Sequence, residues 1–293
     1  MTSSTLDEQF QLQFWGVRGS IACPGAATLR YGGNTPCLEV RVGGQRLIFD
    51  AGTGIRLLGQ QLTTGSPVVG HIFFSHSHWD HIQGFPFFAP AFQSGNRFDI
   101  YGGIRPDSPS IEQRLHHQMM DPNFPVPLNI MAADLHFHNL QMGEVVQLGE
   151  VEVEIGQLNH PGGAYGYRVS WQGRSIAYVT DTEHRPDQLD DNVLKLAQQV
   201  DIFIYDCTYT DAEYHDPVSS KVGWGHSTWQ EGIRLATAAQ AKQLVIFHHD
   251  PSHDDRFLDQ VGQEAAQLFQ RVTVAQEGMV FDLLANSDTT AKI

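Results

Sequence analysis

Six consecutive residues, His76-Ser77-His78-Trp79-Asp80-His81, carry three imidazoles and one carboxylate. That donor set suits zinc, manganese or iron. The residues just before them, His71-Ile72-Phe73-Phe74-Ser75, form a short run rich in aromatic and β-branched side chains, which predicts a buried strand. Ligands leaving a strand end on a loop can fold round an ion. One such cluster cannot close two coordination shells, so further donors are expected at other strand ends. His160 follows the predicted strand Val151 to Leu158, Asp181 follows Ile176 to Val179, and His248 follows Leu244 to Phe247. Open α/β sheets carry their sites at such ends. Taken singly, each of these residues reads more readily as a cap or turn residue. His249 directly follows His248, and spacing does not choose between them.

The elements that must position these groups can be read along the chain. Phe10 to Val17 alternates apolar with polar residues, and Cys37 to Val42 with Arg46 to Phe49 alternates across Gly43-Gly44 as a β-hairpin. Between them runs a glycine-rich loop, Arg18 to Thr35, that can pass close to another element or a ligand. A helix is predicted over Ile55 to Leu62 and another over Ser110 to Met119. Asp121 to Pro127 is too proline-rich for helix or central strand, and residues 88–130 read as a lid or insertion near the site. Strands are then expected at Val145 to Leu148, Val151 to Leu158, Gly166 to Trp171 and Ser175 to Val179. A helix over Gln188 to Gln199, a strand at Ile202 to Tyr205, a helix over Thr228 to Ala239 capped by Ser227 or Thr228, and a strand at Leu244 to Phe247 follow. Antiparallel strands giving way to strands alternating with helices indicate an α/β protein, with two sheets covered by helices as a four-layer αββα sandwich in one domain over residues 1–293.

The 18 basic against 33 acidic residues leave a formal charge of -15, which disfavours a large polyanion footprint. Extended nucleic acid is therefore not expected as a partner. Three cysteines without C-x-x-C spacing argue against a disulfide framework. Met1 to Gln13 lacks a basic and apolar leader pattern, and no long apolar run occurs, so a cytoplasmic protein without a membrane span is expected.

The H-x-H-x-D-H run at His76 to His81, Asp50-Ala51-Gly52, the single His160, Thr180-Asp181, Gly225-His226-Ser227-Thr228 and His248 together resemble the metallo-β-lactamase-fold hydrolases. Within them the chain is most similar to the branch holding RNase Z and the phosphonate-pathway cyclic phosphodiesterase. The resemblance implies an αββα sandwich with a binuclear centre at the rim between the sheets. It makes His76, His78 and His160 ligands of one divalent ion, Asp80, His81 and His248 ligands of the second, and Asp181 the bridge. The ions would be zinc, with manganese or iron accepted by the same donors, and a hydroxide between them would be the nucleophile, oriented by Asp80 or Asp181. Asp50 is expected to hydrogen-bond a ligand imidazole and set its tautomer, with His249 either in a similar supporting place or purely structural. Trp79 is expected to pack beneath the ligands.

Asp206 and His226 correspond in the resemblance to the acid and histidine that act over a scissile phosphate, His226 touching substrate and Asp206 orienting it. RNase Z has Glu where this chain has Asp206, which is one methylene shorter. Arg18 is a candidate phosphate or base contact, or a structural ion pair. RNase Z also carries a protruding basic arm, whereas residues 88–129 hold only Arg97, Arg105 and Arg114 as basic groups. A small phosphodiester such as a cyclic nucleotide is therefore the expected substrate, with a homodimer compatible with the branch. The rivals are an RNase Z-like ribonuclease, a thioester, lactone or lactam hydrolase of the same fold, and a non-catalytic metal-binding regulator. His136-Phe137-His138 repeats the H-x-H spacing without the Asp-His that follows it at His81, and reads as one face of a strand.

Overall fold

The computed structural model describes residues 9–285 apart from 64, 66, 106 and 107. Residues 1–8 of the stretch read above for a leader lie outside the described residues. The chain divides into two compact units: Met1–Gly16, Asn34–Gln141 and Gly278–Ile293 make one, and Val17–Gly33 with Met142–Glu277 make the other. Each of the two has its own sheet and its own core.

In the first unit the chain runs β1 (Phe10–Gly16), β2 (Cys37–Val42), β3 (Gln45–Phe49), α1 (Ile55–Leu62), β4 (Val69–Phe74), α2 (Trp79–Ile82), β5 (Arg97–Gly103), α3 (Ile111–Gln118) and β6 (Asp134–Leu140). The sheet order is β14-β1-β2-β3-β4-β5-β6, with β14 (Val280–Asp282), the last strand among the described residues, at one edge. Pairing is antiparallel from β14 to β3 and parallel from β3 to β6. Alternation fixes β1: Phe10, Leu12 and Phe14 are buried while Gln11 and Gln13 are half-buried. Helical spacing does the same for α1, whose Ile55, Leu58 and Leu62 meet Ile48, Ile72 and Phe74 in the core. Burying each such side chain contributes about 1.5–3 kcal/mol. Register then sets the site, because Phe49 of β3 lies opposite Phe73 of β4. Asp50 and the run beginning at Ser75 therefore leave the sheet side by side.

The second unit repeats this plan with β7 (Val145–Leu148), β8 (Val151–Leu158), β9 (Ala164–Trp171), β10 (Arg174–Val179), α4 (Asp191–Ala197), β11 (Ile202–Asp206), α5 (Asp211–Tyr214), α6 (Trp229–Ala238), β12 (Leu244–Phe247), α7 (Asp255–Leu268) and β13 (Val272–Val274). Its order is β13-β12-β11-β10-β9-β8-β7, antiparallel from β7 to β10 and parallel from β10 to β13. Val179, Tyr205 and Ile246 lie abreast on three parallel strands. Asp181, Asp206 and His248 consequently emerge as neighbours.

Several expectations change. Residues 88–130 are not an insertion: β5 is an interior strand of the first sheet, and Ile111 and Leu115 of α3 are core residues. The irregular stretch after α3 leaves Met120 and Ile130 exposed, while its Leu128 and Met131 join the core. α4 starts at Asp191 rather than Gln188, since the Asp190 carboxylate accepts hydrogen bonds from Asn192 N and Val193 N and so caps the helix there. Thr228, not Ser227, caps α6. α7 is a helix beyond those expected, with Leu258, Val261 and Ala265 marking its buried face behind the Asp254 cap. Among the described residues no helix is long and apolar enough to cross a membrane. All three cysteines are free.

Candidate metal and catalytic centre

In the first unit a buried carboxylate organises the histidine run. Asp50 follows β3 with φ 59°, a left-handed conformation that a non-glycine residue adopts at a cost. That turn aims its side chain at the loop after β4. Its Oδ1 accepts from Ser75 N at 2.7 Å, and its Oδ2 accepts from Ser75 Oγ at 2.8 Å and lies 2.8 Å from His81 Nδ1. A buried carboxylate draws the imidazole proton to Nδ1, so the lone pair of His81 sits on Nε2, 3.3 Å from Asp80 Oδ2. His81 and Asp80 are both buried, and the His76 and His78 rings lie 4.4 Å apart with one ligand nitrogen from each within 4.8 Å. Trp79 is 82% exposed, which overturns the expectation that it packs beneath the ligands. Its position at the first turn of α2 points it away from the buried Asp80 and His81.

The second unit holds the other donors. Asp181 and His248 also take left-handed backbones at their strand ends, φ 52° and 64°. His248 Nε2 stands 3.3 Å from Asp181 Oδ2, and His160 Nε2 stands 3.9 Å from Asp181 Oδ1. The far nitrogens are engaged: His160 Nδ1 donates to Gly225 O at 2.7 Å, and His248 Nδ1 meets Thr208 Oγ1 at 3.0 Å. Backbone must come very near these rings. A Cβ on Gly225 would collide with His160, and one on Gly19 with His248, so the Arg18–Thr35 loop does run close to another element.

Asp206, fully buried, receives Thr182 N at 3.1 Å, Thr208 N at 3.1 Å, Thr208 Oγ1 at 2.7 Å and His226 Nδ1 at 3.0 Å. The shorter Asp thus reaches its histidine directly. Burial works to raise this carboxyl, but the charge and hydrogen bond of His226, with His248 beyond it, hold it below the ordinary carboxylate range. His226 lies between the rings of His160 and His248, at 5.3 and 5.0 Å. His160, Asp181 and His226 offer ligand atoms within 4.8 Å of one another, and so do Asp206, His226 and His248.

Two expectations about individual residues are corrected. Arg18 does not face a substrate: it is fully buried, with Nε donating to Gly32 O at 2.9 Å and Nη1 to His253 O at 2.6 Å and Asp250 O at 3.2 Å. Nor does it make the alternative ion pair: its Nε and Nη1 protons go to backbone carbonyls. Of the two places expected for His249, the structural one holds and the one beside a ligand ring does not. His249 Nε2 donates to Ala275 O at 2.8 Å, and burial, aided by Arg18, pushes its pKa down to about 3, leaving it neutral. Between His248 and His249, only His248 turns toward the Asp181 carboxylate. His136 and His138 pair with Asp134 and Asp99, at 2.9 Å each, on β6.

Sequence reasoning misses two supporting residues, Thr208 and Glu183. Thr208 Oγ1 donates to Asp206 and accepts from the His248 ring, joining the two. Glu183 accepts from Gly223 N, from Gly225 N at 3.0 Å and from Tyr214 Oη at 2.7 Å, fixing the loop that carries His226. Neither has a local signal.

The donor chemistry fits divalent ions. An Nε2 lone pair 3.3 Å from a carboxylate oxygen recurs at His81–Asp80 and His248–Asp181, and two atoms each about 2.0–2.2 Å from one zinc ion fall at such a separation. A profile described as "Beta-lactamase superfamily domain" matches residues 45–249, more than half of the chain. The chain belongs to the β-lactamase superfamily and is a metal-dependent hydrolase of that fold. It is 25% identical to "Ribonuclease Z" of Picrophilus torridus over 316 residues, covering 94% of this chain and 96% of the relative. It is 23% identical to "Ribonuclease Z" of Enterococcus faecalis, covering 80% of this chain and 87% of that protein. The fold is like that of the metallo-β-lactamase fold protein YhfI of Bacillus subtilis, with TM-score 0.67 at 19% identity over 93% of this chain and 98% of the other. It is also like a diphosphatase from the PhnP family, with TM-score 0.69 at 18% identity over 97% and 100%.

Proposed function

We propose that the protein is a binuclear metal-dependent phosphodiesterase acting on a small phosphodiester such as a cyclic nucleotide. The observation that carries this reading is the Asp206–His226 pair, hydrogen-bonded at 3.0 Å beside Asp181. In this assignment His76, His78 and His160 would hold one zinc ion, Asp80, His81 and His248 would hold the other, and Asp181 would serve both. Manganese or iron would suit the same donors. Two such ions would supply a Lewis acid for phosphoryl oxygens and a water acidified to neutral pH. Asp80 would orient the attacking water. His226 keeps one proton on Nδ1 against Asp206, so its imidazolium form donates from Nε2 to charge developing on the phosphate or its leaving oxygen. Thr208 couples Asp206 to His248 and keeps both carboxylate and ring in one orientation. A thioester, lactone or lactam hydrolase has no need of this pair.

A second reading, a ribonuclease acting on extended RNA, is favoured by the names of the relatives, and they lend no support to the expectation that extended nucleic acid is disfavoured. The charge of -15 favours the small substrate. Free thiols accord with a reducing compartment, and we assign the protein to the cytoplasm. The test is hydrolysis by the zinc-loaded protein of 2',3'- and 3',5'-cyclic nucleotides, bis-p-nitrophenyl phosphate, precursor tRNA, a thioester and a lactam. Turnover of the last two alone would overturn the phosphodiesterase reading.

A further inference from the structure

The loop between α5 and α6 displays apolar surface beside His226. Trp224 is 57% exposed and Val222 55%. An exposed indole forgoes burial free energy, yet the backbone around this one is held firmly. The two oxygens of Glu183 take the N–H groups of Gly223 and Gly225, one on each side of Trp224. Trp224 N also donates to Lys221 O at 3.1 Å, and Lys221 N to Tyr214 O at 3.1 Å. Display on a fixed backbone is what a binding surface requires, because little ordering entropy is lost when a ligand arrives.

The neighbours specify the ligand. Lys221 Nζ lies 4.4 Å from the Trp224 ring centroid and 5.9 Å from that of Tyr209, whose ring in turn stands 6.1 Å from His226 in an edge contact. A cation and an exposed π-face thus follow one another outward from the proposed acid. The ammonium matches a phosphate oxygen, and the indole matches a planar heterocycle, the combination that single-stranded nucleotide sites use. We propose that Lys221 and Trp224 form a subsite that stacks the base of a nucleotide-type phosphodiester, so that base-bearing substrates are preferred over base-free sugar phosphates. This inference rests on the phosphodiesterase reading above.

The experiment is calorimetric titration of the zinc-loaded full chain with adenosine 5'-monophosphate and with ribose 5-phosphate. Trp224→Ala is expected to weaken binding of the nucleotide about 10- to 100-fold while leaving ribose 5-phosphate unchanged. Trp224→Phe should restore part of the loss, and Lys221→Ala should weaken both ligands. Equal losses for both ligands in Trp224→Ala, no loss for the nucleotide, or wild-type protein that binds the two alike would each overturn the subsite. Absence of phosphodiester turnover in the wild type sinks the reaction assigned above instead, since the binding difference is read without catalysis.

Discussion

Replacing Asp50 with Asn tests the tautomer on which the histidine run depends. The carboxylate accepts from Ser75 N, Ser75 Oγ and His81 Nδ1 at 2.7, 2.8 and 2.8 Å. An amide of the same shape keeps one acceptor for Ser75 N but turns an N–H₂ donor toward Oδ2's former partners. The Ser75 hydroxyl can rotate to accept, whereas His81 must move its proton to Nε2, the nitrogen facing Asp80. Nε2 then has no lone pair for an ion. The lost bond to a charged acceptor is worth about 1.5–3 kcal/mol, or on the order of a 10- to 150-fold change in affinity. Loss of such a supporting partner elsewhere costs about 10- to 100-fold, in agreement. Zinc titration of the metal-free variant against a chromophoric chelator should therefore show one of two sites weakened by about 10- to 100-fold. Asp50→Ala differs in a measurable way. It takes the acceptor from three buried donors, Ser75 N–H, Ser75 Oγ–H and His81 Nδ1–H, at about 1–3 kcal/mol for each left unpaired, and so lowers the stability of metal-free protein as well. Wild-type zinc affinity in Asp50→Asn would refute the tautomer argument.

Three further outcomes follow from the geometry. His226→Ala should cut phosphodiester turnover by about 10²- to 10⁴-fold with bound metal retained, measured by metal analysis beside initial rates; undiminished turnover removes His226 from the chemistry. Glu231, buried on α6, has its carboxyl raised from about 4.5 to about 7, by burial first and Asp211 second, against the opposing Arg234. A folded pKa above the unfolded one means that the folded state holds the extra proton, so stability falls as pH rises from about 4.5 and levels off above about 7. The full shift corresponds to about 3 kcal/mol, reduced to about 1–2 kcal/mol by solvent and Arg234 screening. Denaturant unfolding at pH 5 and pH 8 should show this loss in wild type and not in Glu231→Gln, and parallel pH profiles for the two proteins would contradict it. Trp79→Ala should change unfolding free energy by no more than about 0.5 kcal/mol, since the ring is 82% exposed; a loss of about 3–5 kcal/mol, expected of a packed Trp, would show the sequence expectation to be correct.

The sequence by itself determined which groups are available and roughly where they leave the sheets. Periods of two and of three to four residues are local properties, so β1, the hairpin, α1 and α6 could be read within a residue or two, together with the donor-rich run His76–His81. What it could not determine depends on partners far along the chain. Arg18 reads as a phosphate or base contact, or as half of an ion pair, until Gly32, Asp250 and His253 bring carbonyls to it. Phe98 to Tyr101 reads as a short strand, but as one inside an insertion until β4 and β6 supply the hydrogen bonds of β5. Asp206 looks too short for His226 until parallel register and the Glu183 clamp bring the loop to it.

Adjacent histidines show the division most sharply. His248 and His249 are chemically identical, yet one adopts φ 64° and turns to Asp181 while the other donates to Ala275 and is driven neutral by burial. Asp50 and Asp181 carry the same left-handed turn at their own strand ends. No residue type announces that conformation, because an Asp or His costs more than Gly there. Only surrounding hydrogen bonds made in the folded chain can hold it. The identity of the donor groups was therefore local information, and their direction was a property of the tertiary structure.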